Sequence, residues 1–88
     1  MKNVRINTPS DWKRAVKSRL VVEGISRYRF VRDCVDSGIC DQHTAECLLA
    51  DENTVTGKRY PTFARAIDMA KLAGYDVVLV PRTGRAKL

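Results

Sequence analysis

The chain has no apolar run longer than Val77-Val78-Leu79-Val80. A helix that crosses a membrane needs about 20 consecutive apolar residues, so none is expected and no membrane partner with it. The opening MKNVRIN holds no apolar core and is not read as a secretory signal. Histidine occurs once, at His43, and tryptophan once, at Trp12. There is no glycine-rich phosphate loop and no pair of closely spaced carboxylates in an apolar setting. With neither, the sequence offers no catalytic constellation, and neither an enzyme nor a cofactor is expected. Cysteine is scarce and odd in number, at Cys34, Cys40 and Cys47. Without a secretory signal, reduced thiols in a cytoplasmic protein are the simplest reading. Lysine and arginine are missing altogether from Asp33 to Gly57, where Asp33, Asp36, Asp41, Glu46, Asp51 and Glu52 all lie.

That gap is conspicuous because the chain is basic elsewhere. Its 88 residues carry 16 lysines and arginines against 10 acidic residues, a net charge of +6. Such a balance favours a polyanionic partner. Cations crowd the first third, through Arg27, Arg29 and Arg32, and return from Lys58 and Arg59 onward. The length suits one small domain, read as residues 1–81, followed by a basic tail at 82–88.

The apolar pattern predicts a mainly α fold with a short strand at each end. Val4 and Ile6 alternate with polar residues, a weak strand signal that Thr8-Pro9-Ser10 breaks. Thr8 or Ser10 can cap the helix that follows, and Asp11 suits its first turn. Trp12, Ala15, Val16, Leu20 and Val22 then mark an apolar face, with Lys13, Arg14 and Lys17 placed opposite and Arg19 at its margin, needing a partner. Gly24 ends this helix. Ser26 caps a second, whose apolar stripe is Phe30, Val31, Cys34 and Val35, with Arg29–Asp33 and Arg32–Asp36 spaced four apart on its polar face. Ser37-Gly38-Ile39 is a turn, and Asp41 caps a third helix that spans about 41–50. Its inward face is Ala45, Leu48 and Leu49; Gln42, His43 and Glu46 face outward, with Thr44 and Cys47 at the margins. After a polar loop at 51–59, Pro61 opens a fourth helix with Phe63, Ala66, Ile67, Ala70 and Ala73 inward. Gly74 closes it, and Val77–Val80 reads as a β-branched strand stopped by Pro81. A lone strand cannot stand unpaired. Either the two ends pair within one chain, or Val77, Val78, Leu79 and Val80 pair with their copies in a homodimer.

The order ISRYRF, SGI, TAECLL and YPTFARAIDMAKLAGYDVVLV resembles the helix-turn-helix of the lambda-repressor/Cro-like (Xre-type) superfamily over about residues 25–80. The second half matches better than the first. Two departures stand out. The stretch from Val31 to Gly38 is nearly a turn of helix longer than the family's, and one extra residue lies between Gly38 and Thr44. The resemblance implies a small phage or bacterial regulator that binds double-stranded DNA as a dimer across a two-fold operator. It makes the third helix the recognition helix in the major groove, with Gln42, His43, Thr44 and Glu46 toward the bases. With no cation on that helix, affinity falls to Arg27, Arg29, Arg32, Lys58 and Arg59 on phosphates.

Another reading keeps the acidic stretch in view: an antitoxin-like module that covers a toxin-like protein partner with its third helix. Cys40-x2-His43-x3-Cys47 has ligand-like spacing, but there is no Cys-x2-Cys knuckle, and Cys34 and Cys47 fall on or near helix stripes that want small apolar residues. No metal site is expected. Cys40, at the turn, is the one candidate for a redox-sensing thiol.

Overall fold

The computed structural model describes residues 3–81. The tail assigned to 82–88 lies outside them. Four α-helices and one short 3-10 turn follow in order: α1 Pro9–Val22, α2 Arg27–Asp36, α3 Gln42–Leu49, the 3-10 turn Thr56–Lys58, and α4 Phe63–Leu72.

Each helix starts where a side chain can take up a free backbone N–H. Thr8 caps α1, and its oxygen accepts from the Asp11 N–H while the Asp11 carboxylate accepts from Thr8 in return. Ser26 accepts from Arg29 N–H, Asp41 from Thr44 N–H at 2.7 Å, and Thr62 from Arg65 N–H. Pro61, expected to open the fourth helix, lies two residues before it, because Thr62 takes the cap.

The helices bury one apolar centre. Trp12, Val16 and Leu20 of α1 meet Phe30, Val31 and Cys34 of α2, Ala45, Leu48 and Leu49 of α3, and Met69 and Ala73 at α4. Helices α1 and α4 run side by side in the same direction. The Trp12 indole N–H donates to the Ala66 carbonyl at 3.0 Å, and one helical stretch further on Arg19 Nε donates to the Ala73 carbonyl at 3.3 Å. Arg19 also pairs with Glu23 at 2.9 Å and lies over the Tyr75 ring, so the marginal cation is held as expected.

Several expectations fail. No strand forms among the described residues. Val4 and Ile6 are about half exposed, and the Asp11 carboxylate captures the backbone N–H groups of Asn7 and Thr8 for helix capping. Val77–Val80 leaves the body of the molecule after Tyr75 and meets no second strand; Leu79 is 98% exposed. The two ends therefore do not pair within one chain. Phe63 is exposed at the start of α4, and Met69 holds the fully buried position instead. Val22 is exposed where α1 runs past the core, and Val35 yields the inward place on α2 to Cys34. The spaced pairs Arg29–Asp33 and Arg32–Asp36 do not close among the described residues, consistent with the less favourable order of the two charges. Lys13, assigned to the outer face of α1, is 1% exposed.

Candidate nucleic-acid interface

The α2–α3 pair is built around a tight connection. At the end of α2, Gly38 N–H donates to the Val35 carbonyl and Ile39 N–H to the Cys34 carbonyl, both at 3.0 Å. Gly38 turns the chain at φ +74°, a left-handed conformation that favours glycine. Three residues later Asp41 caps α3. Hydrogen bonds from the Thr44 hydroxyl and backbone N–H hold the Asp41 carboxyl below its ordinary range, and the nearby charges of His43 and Arg65 act the same way. Arg65 on α4 was not singled out in the sequence. It faces this connection, and its buried Nε has no hydrogen-bond partner.

Helix α3 turns Ala45, Cys47, Leu48 and Leu49 into the core, leaving Gln42, His43 and Glu46 exposed. The expected base-facing group is thus brought together, with one exception. Thr44 is half-buried, and its backbone N–H donates to Asp41. Gln42 Nε2 donates to Glu46 Oε1 at 2.9 Å, which fixes the amide plane and leaves the amide oxygen and one N–H outward. His43 Nε2 lies 3.6 Å from Cys47 Sγ.

Exposed cations lie on the two elements that pack against α3. Arg27, Arg29 and Arg32 are exposed on α2, and Lys58 and Arg59 are exposed at the 3-10 turn. Between α2, α3 and that turn runs a shallow groove of about 420 Å³, lined by Arg27, Tyr28, His43, Glu46 and Thr56 over a floor that includes Val31 and Cys47.

The polar loop is more ordered than its composition suggests. Asp51 accepts on its side chain from Asn53 N–H and on its carbonyl from both the Thr54 N–H and hydroxyl; Thr54 in turn accepts from Gly57 N–H. Gly57 is buried so tightly that a Cβ there would lie 1.7 Å from the Asp51 carbonyl oxygen. The loop is fastened to α1. Lys13 Nζ donates to the Gly57 carbonyl at 2.5 Å and the Ala50 carbonyl at 3.2 Å, and lies 5.1 Å from the centre of the Tyr60 ring. Ser10 and Tyr60 hydroxyls both donate to Glu52 Oε2 at 2.6 Å, which lowers the Glu52 carboxyl. Sequence reasoning missed Lys13, yet a signal was present: Lys13, Val16 and Leu20 have the i, i+3, i+7 spacing of one helix face.

The cysteines are free. Cys34 is fully buried, and burial pushes its thiol up to about 12. Cys40, expected at an exposed turn, is half-buried, and burial raises its thiol as well. Neither is an activated nucleophile. Among the described residues no group of three histidine, cysteine or acidic side chains is placed to hold a metal ion. No described helix is long and apolar enough to cross a membrane. No protein-family model matches the chain, and neither does any curated protein or solved structure.

Proposed function

We propose that the chain is a sequence-specific, double-stranded DNA-binding regulator of the helix-turn-helix kind, with α3 in the major groove. The observation that carries this reading is the exposure of Gln42, His43 and Glu46 on α3, with Arg27 beside His43 and Glu46 in one groove and further exposed cations on the two elements that pack on α3. Neutral and acidic hydrogen-bonding side chains project from α3, while cations stand clear of it on α2 and on the 3-10 turn. Gln42 offers a paired acceptor and donor to an adenine edge, Glu46 accepts from a cytosine amino group, and His43 reaches a further base. Arg27, Arg29, Arg32, Lys58 and Arg59 take phosphates and supply the affinity. A second copy, paired through Val77–Val80, would present two such surfaces to a two-fold operator.

A fluorescence-anisotropy titration with duplex DNA from around the gene tests the reading. With five phosphate contacts per copy, log K should fall with log salt with a slope of about −4 to −5 for each bound copy. Gln42→Ala should relax discrimination at one base pair, whereas Arg29→Ala should weaken binding to every sequence alike. Affinity indifferent to both sequence and salt would sink it.

The groove beside Tyr28 favours a second reading. Its apolar floor, and the absence of cations from Asp33 to Gly57, suit a protein partner of the toxin kind. Co-purification of a basic protein on this surface would support that role.

A further inference from the structure

We propose that Lys13, which no base or phosphate could reach, is the positioning residue of the phosphate clamp formed by Lys58 and Arg59. The proposal rests on the DNA-binding reading above.

An ammonium group is costly to bury, and a methionine would fill the same space without that cost. What the ammonium adds is grip, and its partners show on what. It bonds the carbonyl of Gly57, the residue before Lys58, and lies over the ring of Tyr60, the residue after Arg59. Its other bond goes to Ala50, the C-cap of α3, where a positive charge meets the negative end of the helix. One buried charge thus ties α1, the end of the recognition helix and both flanks of the cation pair. Glu52 closes the same cluster from the other side through Ser10 and Tyr60.

The loop needs this hold. The bonds that form the 3-10 turn itself are long, 3.3 Å for Lys58 N–H to Val55 and 3.4 Å for Arg59 N–H to Thr56. Thr54 holds Gly57 and Glu52 holds Tyr60 on either side, but between them only those long bonds fix the backbone, and without Lys13 the two cations would sample positions away from the phosphates. Fixed from below, they stand at a set distance from α3, so that the helix and the clamp can meet one duplex together.

The experiment compares the wild-type chain with Lys13→Met, Lys58→Gln/Arg59→Gln and the triple variant. Each is titrated against a fluorescein-labelled random-sequence duplex at several salt concentrations, and amide hydrogen exchange is followed across residues 51–60. Expected for Lys13→Met are an unchanged helical spectrum, faster exchange confined to that loop, and a salt slope shallower by about two, the two phosphate contacts of the clamp. Adding Lys58→Gln/Arg59→Gln should then change nothing further, while Arg29→Gln should still weaken binding in either background. A merely structural lysine would not produce that pattern. If the clamp substitutions weaken Lys13→Met as much as wild type, or if loop exchange stays at the wild-type rate, the proposal is overturned. Should Lys13→Met fail to fold, Gly57→Ala serves, since its Cβ must displace the loop while Lys13 remains; a wild-type salt slope in Gly57→Ala overturns the proposal equally. A wild-type titration indifferent to salt and sequence sinks the DNA reading instead, and loop exchange alone then judges Lys13's hold on the loop.

Discussion

Residues 26–50 and the two ends of the chain are both rich in apolar side chains, and they end in opposite conditions. Phe30, Val31, Cys34, Ala45, Cys47, Leu48 and Leu49 are each at most 4% exposed, whereas Val4, Ile6 and Val77–Val80 are all 47% exposed or more. The difference lies in where the partner comes from. A helix satisfies its backbone internally and needs neighbours only on one face, which a short chain can supply. A strand needs a second strand for its backbone as well, and none of the described residues supplies one. Alternating or β-branched residues therefore record a capacity for pairing, which is met only when another segment or another copy arrives.

The sharpest test sets the two regions against each other. Phe30→Ala should cost about 3–5 kcal/mol in thermal or urea unfolding, as expected for a fully buried phenylalanine. Leu79→Ala should change the stability of a single chain by no more than about 0.5 kcal/mol. A large loss at Leu79 in dilute protein would mean that the tail packs on its own body, and the contrast would collapse. At higher concentration the terminal segment is expected to acquire its partner. Sedimentation should then show a dimer that Val78→Asp/Leu79→Asp reduces to monomers without altering the helical spectrum. Wild-type protein that stays monomeric throughout would remove the strand-pairing half of the functional reading.

The smallest expected effect concerns the start of α3. The folded Asp41 carboxyl lies below its unfolded value of 3.8, held there first by the Thr44 hydroxyl. Its contribution is complete above that value and is lost as pH falls through the lower folded value. Asp41→Asn can cap the helix without titrating. The wild-type stability advantage over it should therefore shrink as pH drops below 3.8, read from acid unfolding curves. A constant difference across that range would mean that the carboxylate does not cap α3 in solution.

The elements legible in the sequence were those fixed by chemistry within a few residues. Ser26 and Asp41 each cap a helix three residues from the N–H they serve, and Gly38 turns the chain where only a few conformations allow it. Of the site, the exposed Gln42, His43 and Glu46 followed from the helical period that buries Ala45, Leu48 and Leu49. What could not be read depended on contacts far along the chain. Lys13 looks like surface charge until the carbonyls of Ala50 and Gly57 are placed beside it. Phe63 looks like core until it is seen to stand exposed, a turn before the Ala66 carbonyl that Trp12 binds. Thr44 looks fully outward until α3 is seen to half-bury it.

The parallel seam between α1 and α4 has a bearing on how the molecule folds. The bond from Trp12 to Ala66 joins residues 54 apart, while α2 and α3 are neighbours along the chain. Bringing distant segments together costs chain entropy before any contact repays it, so the seam is expected to close late. Interactions made after the rate-limiting step act on the rate of unfolding and hardly on the rate of folding. The seam is therefore expected to govern how long a folded molecule lasts more than how quickly it forms, and the chain's single tryptophan stands on it, so its emission can follow that closing.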